Sequence, residues 1–168
     1  MKKTFVTLIV VLVMLITASV AFAADNRNFS VHLSGDEEVP PRDTNAQGQV
    51  IFHISKDGTE LEYKLIVANI DNVVAAHIHC GAPGVAAPVG ATLLHMPPVS
   101  GRFDGILAEG TITSPDAGNA CGWTDLNAVI AAMMSGNTYV NVHTNDGVAP
   151  PNTGPGDFPG GEIRGQVE

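Results

Sequence analysis

The sequence predicts an antiparallel β-sandwich that carries one short helix. Apolar and polar residues alternate through most of the chain beyond residue 24, as expected for strands with one buried face. Segments rich in glycine and proline, such as 81–88 and 148–161, separate these alternating stretches. Short strands joined by such connectors are typical of β-sandwiches or barrels.

A hairpin from Gln49 to Ala68 is the clearest local element, with Lys56-Asp57-Gly58 as its turn. Leu61, Tyr63, Leu65 and Val67 alternate with polar residues on its second strand. Further strands are predicted at Phe29–Leu33, Val73–Cys80, Phe103–Thr113, Thr138–Thr144 and Glu162–Val167.

One segment, Thr124–Met134, has helical rather than strand periodicity. Its apolar residues at positions 126, 129, 130 and 133 would share one face of a helix that docks on the sheet. Thr124 is predicted to cap the start, Asp125 suits the positive end of the helix dipole, and Gly136 can end the helix.

The N-terminus predicts a secretory signal peptide over residues 1–23. Lys2 and Lys3 precede the apolar run Phe5–Val20, and Ala21-Phe22-Ala23 is a small-x-small cleavage site. An uncleaved membrane anchor is the alternative, but the cleavage site favours removal after Ala23, with Ala24 as the other choice. We therefore expect a single domain, residues 24–168, that is secreted or periplasmic and has no stable membrane anchor.

The charge balance restricts the partners. The formal net charge is −9, and loss of Lys2 and Lys3 would make it more negative. Such a chain is not expected to bind nucleic acid or anionic lipid by bulk electrostatics, whereas cations would be attracted.

The two cysteines, Cys80 and Cys121, are predicted to form a disulfide in an oxidising compartment. The closed loop of about 40 residues would stabilise the fold by roughly 3–4 kcal/mol. The alternative is a pair of thiolate metal ligands, which the absence of a C-x-x-C spacing disfavours.

The stretch "AAHIHCG" places His77 and His79 on the same face of a strand, because residues i and i+2 point the same way. His143 has matching parity on the strand "YVNVHT", so pairing of the two strands would gather three imidazoles. Three imidazoles can hold copper or zinc. The alternative is that each histidine packs on the sheet and binds backbone or carboxylate groups. His32 and His53 are interpreted as ordinary surface residues.

An acidic turn, "SGDEEVPP", and the last strand, "GEIRGQV", contain a second group of charged residues that could interact. Arg164 is predicted to make a structural ion pair with Glu37 or Glu38. The functional alternative is a site that reads an anion or a carboxylate.

Together these segments resemble the CHRD domain family. The matching stretches are "LSGDEEVPP", "GQVIFHI", "LEYKLIVANIDNVVAAHIHCGAPG", "EGTIT", "YVNVHT" and "GEIRGQ", which run from Leu33 to Gln166. The resemblance implies an all-β extracellular module. The chain departs from the family pattern at Asn145–Gly160, which is longer than usual and could cover the surface near His143.

The H-x-H strand is also similar to a strand of copper/zinc superoxide dismutase. The fold that we expect is an antiparallel immunoglobulin-like or superoxide-dismutase-like β-sandwich. A dismutase activity would rest on fold analogy alone, because no bridging histidine or zinc cluster is evident. No nucleophile elbow or phosphate-binding loop is present either. We therefore expect a non-enzymatic binding module with copper or zinc at the histidines. The alternatives are a metal-free module for an unknown protein partner or matrix, and a metal-dependent redox enzyme.

Overall fold

The computed structural model describes residues 27–95, 97 and 99–168, so the predicted signal peptide, residues 1–23, lies outside the described residues. No helix in these described ranges is long and apolar enough to cross a membrane. The elements are β1 (Asn28–Ser34), a 3-10 turn (Gly35–Glu37), β2 (Gln47–Ile54), β3 (Leu61–Cys80), β4 (Val89–Thr92), β5 (Val99–Ile112), α1 (Leu126–Met134), β6 (Thr138–Thr144) and β7 (Ile163–Val167).

The strands form one antiparallel sheet in the order β2-β1-β7-β6-β3-β4, with β5 paired along β3. An additional β2–β3 pairing closes this path on itself. The predicted all-β antiparallel architecture with one short helix is confirmed. Which of the two predicted sandwich types the closed sheet most resembles stays a prediction.

Closure of the sheet depends on the length of β3, which spans 20 residues. Its first half pairs with β2, as the predicted hairpin requires, and its second half pairs with β6. Between them, Asn69 and Asn72 adopt positive φ angles of 59° and 52°, and the register with β5 shifts. Such irregularities bend a strand. The stretch Val73–Cys80, predicted as a separate strand, is therefore the continuation of β3 beyond this bend.

The core lies on the apolar face of the alternating strands. Phe52, Leu65, Ile78, Val140 and Ile163 are fully buried. Each such side chain contributes about 1.5–3 kcal/mol through removal of its surface from water. This core fixes which residues of β3 and β6 face the other way.

Helix α1 packs on the sheet through Leu126, Val129 and Met133, as its periodicity predicted. The cap differs from the prediction: Asp125, not Thr124, accepts a hydrogen bond from the Ala128 amide at 2.9 Å. Asp125 has the extended backbone of an N-cap, and its carboxylate reaches the third residue beyond it.

Candidate metal centre

The pairing of β3 with β6 creates the histidine cluster. His77 lies opposite Asn141, His79 opposite Tyr139, and His143 opposite Ala75, so His143 is the diagonal neighbour of His77. One potential ligand atom from each of the three histidines lies within 4.8 Å of the others. The structure thus gathers the three residues that the strand parity had predicted to converge.

Two connecting loops fix the orientation of two of the rings. The Nδ1–H group of His79 donates to the Ala87 carbonyl at 2.8 Å, and that of His143 donates to the Pro159 carbonyl at 2.9 Å. A carbonyl can only accept, so each Nδ1 carries the proton and each Nε2 holds the lone pair. Outer hydrogen bonds of this kind orient histidine ligands in metal sites.

Burial keeps the cluster neutral. The pKa of His77 falls to about 4 because of burial and, next, the proximity of His143 and His79, against the opposing charge of Asp116. Burial is also the main cause that lowers the pKa values of His79 and His143. The three rings are therefore neutral at neutral pH, and each keeps one nitrogen whose lone pair can bind an ion.

The spacing of the nitrogens is close to that of a coordination shell. His77 Nδ1 lies 3.1 Å from His143 Nε2 and donates a hydrogen bond to its lone pair, and a bound ion would replace that proton. Two ligands bound tetrahedrally at 2.0–2.1 Å from one ion would be about 3.3 Å apart. His79 is buried and its Nε2 has no hydrogen-bond partner, whereas His77 and His143 are half-buried. The cluster thus has a closed side at His79 and an accessible side at the other two rings.

Tyr139 forms the wall beside His79. The two rings stack with centroids 4.7 Å apart and planes 10° apart, and the Tyr139 hydroxyl accepts from the Ala87 amide at 3.0 Å. The Arg164 guanidinium lies 3.4 Å from the centroid of the Tyr139 ring. The Tyr139 ring therefore lies between His79 on β3 and Arg164 on β7, and this stack restricts how far the imidazole of His79 can tilt.

The predicted ion pair between Arg164 and Glu37 or Glu38 takes another form. Arg164 makes no salt bridge within 4.0 Å to either carboxylate among the described residues. Its guanidinium donates instead to the carbonyls of Val85 and Ala82, at 3.1 and 3.4 Å. Glu37 is exposed and Glu38 is buried. The charge of Arg164 acts to lower the pKa of Glu38, although the two side chains form no salt bridge. The guanidinium that was predicted to pair with a carboxylate instead contacts these two carbonyls and the Tyr139 ring.

The Cys80–Cys121 disulfide is present, with an S–S distance of 2.06 Å and Cα atoms 5.7 Å apart. Neither thiol is free, so the alternative of thiolate ligands is excluded. Cys80 directly follows His79, and its amide donates to the Pro88 carbonyl at 3.2 Å. The disulfide therefore tethers the strand end from which the loop to Ala87 departs.

The sequence analysis did not place two acidic residues, Asp116 and Glu38, near the histidine cluster. Asp116 accepts hydrogen bonds from the amide and hydroxyl of Thr92, which lies opposite His77 on β4. Glu38 lies behind the cluster rather than at the surface. Both belong to connecting segments, where strand parity carries no information about the direction of a side chain.

The fold and the site together define a disulfide-bonded, all-β protein with a partly buried cluster of three neutral imidazoles. The model of the CHRD domain family matches residues 29–167, and the chain belongs to that family. Membership indicates a binding module. No curated protein and no solved structure matches the chain.

Proposed function

We propose that this CHRD protein is a secreted or periplasmic, non-enzymatic binding module that holds one copper or zinc ion through His77, His79 and His143. The observation that carries the proposal is the convergence of three ligand atoms within 4.8 Å on rings that stay neutral. Borderline ions such as copper(II) and zinc(II) favour imidazole nitrogen.

The buried Nε2 atom of His79 tests whether the residues fit an ion. This atom has no hydrogen-bond partner, and its ring is only 6% exposed. A buried acceptor without a donor is costly, and a bound cation would compensate for the lost hydration. The backbone carbonyls at Nδ1 of His79 and His143 already supply the outer contacts that histidine ligands need.

The compartment is supported by two features. The disulfide is of the kind that persists in oxidising environments, and residues 1–23 have the pattern of a secretory signal. Secretion or export to the periplasm would also expose the module to free divalent ions rather than to cytosolic chelators.

Calorimetric titration with copper(II) and with zinc(II) tests the proposal. The purified protein is expected to bind one equivalent, and the variant His77→Ala/His79→Ala/His143→Ala is expected to lose that binding. The matched control, His32→Ala/His53→Ala, removes two exposed imidazoles and should bind like the unmodified protein. Equal binding by the triple variant and the control would refute the metal site.

A metal-free interaction module is the second candidate. Val85 and Val148 are 50% and 65% exposed, and they lie on the two loops that border the histidine cluster. Exposed apolar side chains of this kind occur in protein–protein interfaces. This candidate predicts that a partner binds the triple histidine variant as well as the unmodified protein, and that Val85→Asp/Val148→Asp abolishes the complex.

A further inference from the structure

Three buried atoms that lack a hydrogen bond of normal length and angle adjoin the closed side of the cluster: His79 Nε2, Asn141 Oδ1 and Glu38 Oε1. The three side chains are only 6%, 3% and 6% exposed. Asn141 lies between the other two and interacts with both. Buried polar atoms are usually satisfied in native proteins, and a positively charged group at this place would compensate for these three acceptors.

The structure directs the Asn141 amide nitrogen toward Gly161 and Glu38. A methyl group added at Gly161 would lie 2.7 Å from Asn141 Nδ2 and 2.8 Å from Glu38 Cδ. The amide nitrogen and the Glu38 carboxyl group therefore share the space that the missing side chain of Gly161 leaves. With Nδ2 turned toward Glu38, the opposite arm of the amide, Oδ1, is left for His79.

This arrangement sets two acceptors, Asn141 Oδ1 and His79 Nε2, beside each other. Neither carries a proton when His79 is neutral with its proton on Nδ1, so in this state they cannot form a hydrogen bond with each other. A cation between them would satisfy both.

We propose that Asn141 Oδ1 supplies an oxygen donor to the ion that the three histidines hold, and that Glu38 is the positioning residue that keeps the amide in this orientation. The inference rests on the metal site proposed above and adds its fourth donor. The expected donor set is three nitrogens and one oxygen.

The oxygen donor has a consequence for metal selectivity. Amide and carboxylate oxygens suit divalent ions, whereas copper(I) prefers sulfur ligands. Both cysteine sulfurs are engaged in the disulfide and cannot serve. The site should therefore favour copper(II) and zinc(II), and removal of the oxygen should weaken divalent ions selectively.

The test compares the affinities of the protein for zinc(II), copper(II) and, under anaerobic reducing conditions, copper(I). Asn141→Leu should weaken both divalent ions about 10–100-fold, the range found for loss of a supporting group at a metal site, and leave copper(I) unchanged. The reduction potential of the bound copper should rise accordingly. Asn141→Asp retains an oxygen at the same place and should restore divalent binding, while the exposed Asn137→Leu serves as the control.

Glu38→Gln tests the positioning role separately. The glutamine amide can turn an N–H group toward Asn141, which would rotate the Asn141 amide and direct its Nδ2 to the lone pair of His79. Divalent affinity should then fall as in Asn141→Leu although no ligand has been removed. This variant and Asn141→Asp also keep the proposal testable if Asn141→Leu does not fold.

The outcomes separate the two proposals. Zinc(II) and copper(II) affinities that are the same in Asn141→Leu as in the unmodified protein would overturn the oxygen donor and leave the histidine site intact. An equal loss for copper(I) and the divalent ions would show a merely structural role for Asn141 and also overturn it. Failure of the unmodified protein to bind any of the three ions would overturn both proposals.

Discussion

Two buried glutamates, Glu38 and Glu162, differ in how their oxygens are satisfied. Glu162 is fully buried, and Thr44 Oγ1 donates to its Oε1 while Thr144 Oγ1 donates to its Oε2, each at 2.6 Å. The Gly156 amide donates to Oε2 at 2.9 Å. Glu38 is only 6% exposed, yet its Oε1 has no donor, and burial raises its pKa to about 7.

The difference separates a carboxylate that holds the fold together, Glu162, from one whose oxygens are not fully bonded within the fold, Glu38. Glu162 joins the approach to β2, the end of β6 and the 145–161 loop, and this loop supplies the Pro159 carbonyl that orients His143. Glu38 has no comparable set of bonds and instead adjoins Asn141 beside the histidine cluster. A satisfied network specifies a fold, whereas an unsatisfied group costs stability and persists where it serves another purpose.

The largest expected effect on stability comes from Glu162→Ala. It would leave the Thr144 hydroxyl and the Gly156 amide buried without an acceptor, at about 1–3 kcal/mol each before relaxation, and would unpair the half-buried Thr44 hydroxyl. We expect a loss of about 3–5 kcal/mol in the free energy of unfolding, measured by urea denaturation. Glu62→Ala, at an exposed position on β3, is the control and should change little. A loss no greater than that of the control would contradict the architectural role.

Glu38→Gln should have a smaller effect that depends on pH. The folded-state pKa of Glu38 is about 7 against an ordinary value of 4.5, so the folded protein holds the proton more tightly than the unfolded chain. The stabilising contribution of the protonated form is complete below pH 4.5 and is lost as the pH rises to 7. Glutamine cannot ionise. As the pH rises across this window, the free energy of unfolding of the variant should therefore increase by up to about 3 kcal/mol relative to that of the unmodified protein.

Urea denaturation of both proteins at pH 4.5 and pH 7.5 measures this difference. The pKa values of His77, His79 and His143 are lowered, so these histidines favour stability as the pH rises, which is the opposite sign. They are present in both proteins, so the comparison isolates the change at Glu38 together with its contact to Asn141. A difference that is the same at both pH values would show that Glu38 has an ordinary pKa.

The smallest expected effect comes from Glu37→Gln. Glu37 is the chain neighbour of Glu38 but is exposed, and it makes no salt bridge with Arg164 within the described residues. The free energy of unfolding should not change measurably, and zinc(II) affinity should be unaffected. A stability loss comparable to that of Glu162→Ala would show that the acidic turn acts through its charge rather than through the position of Glu38.

The cluster could be predicted from the sequence because strand alternation determines which side chains share a face. The parity of His77, His79 and His143 was enough once β3 and β6 paired. The strand β4 was missed because it has only four residues, Val89–Thr92, next to a proline- and glycine-rich segment.

The features that close the site could not be predicted in the same way. In the sequence, the bend of β3 at Asn69 and Asn72 looks like a break in the alternation between two strands. In the structure, hydrogen bonds such as that from the Gly101 amide to Asn72 Oδ1 maintain the sheet there. The burial of Glu38 depends on how the turn after β1 folds back toward β7, a tertiary contact without a local sequence signal. Arg164 was assigned to a carboxylate because the carbonyls of Ala82 and Val85 cannot be recognised as acceptors from the sequence.

X-ray absorption spectroscopy of the protein loaded with one equivalent of zinc(II) tests the central claim most directly. We predict a first shell of nitrogen and oxygen at about 2.0–2.1 Å with the multiple-scattering signature of three imidazoles and no sulfur. The spectrum should be unchanged in His32→Ala/His53→Ala and should lose imidazole scattering in His77→Ala. A first shell without imidazole, or one insensitive to His77→Ala, would contradict the account.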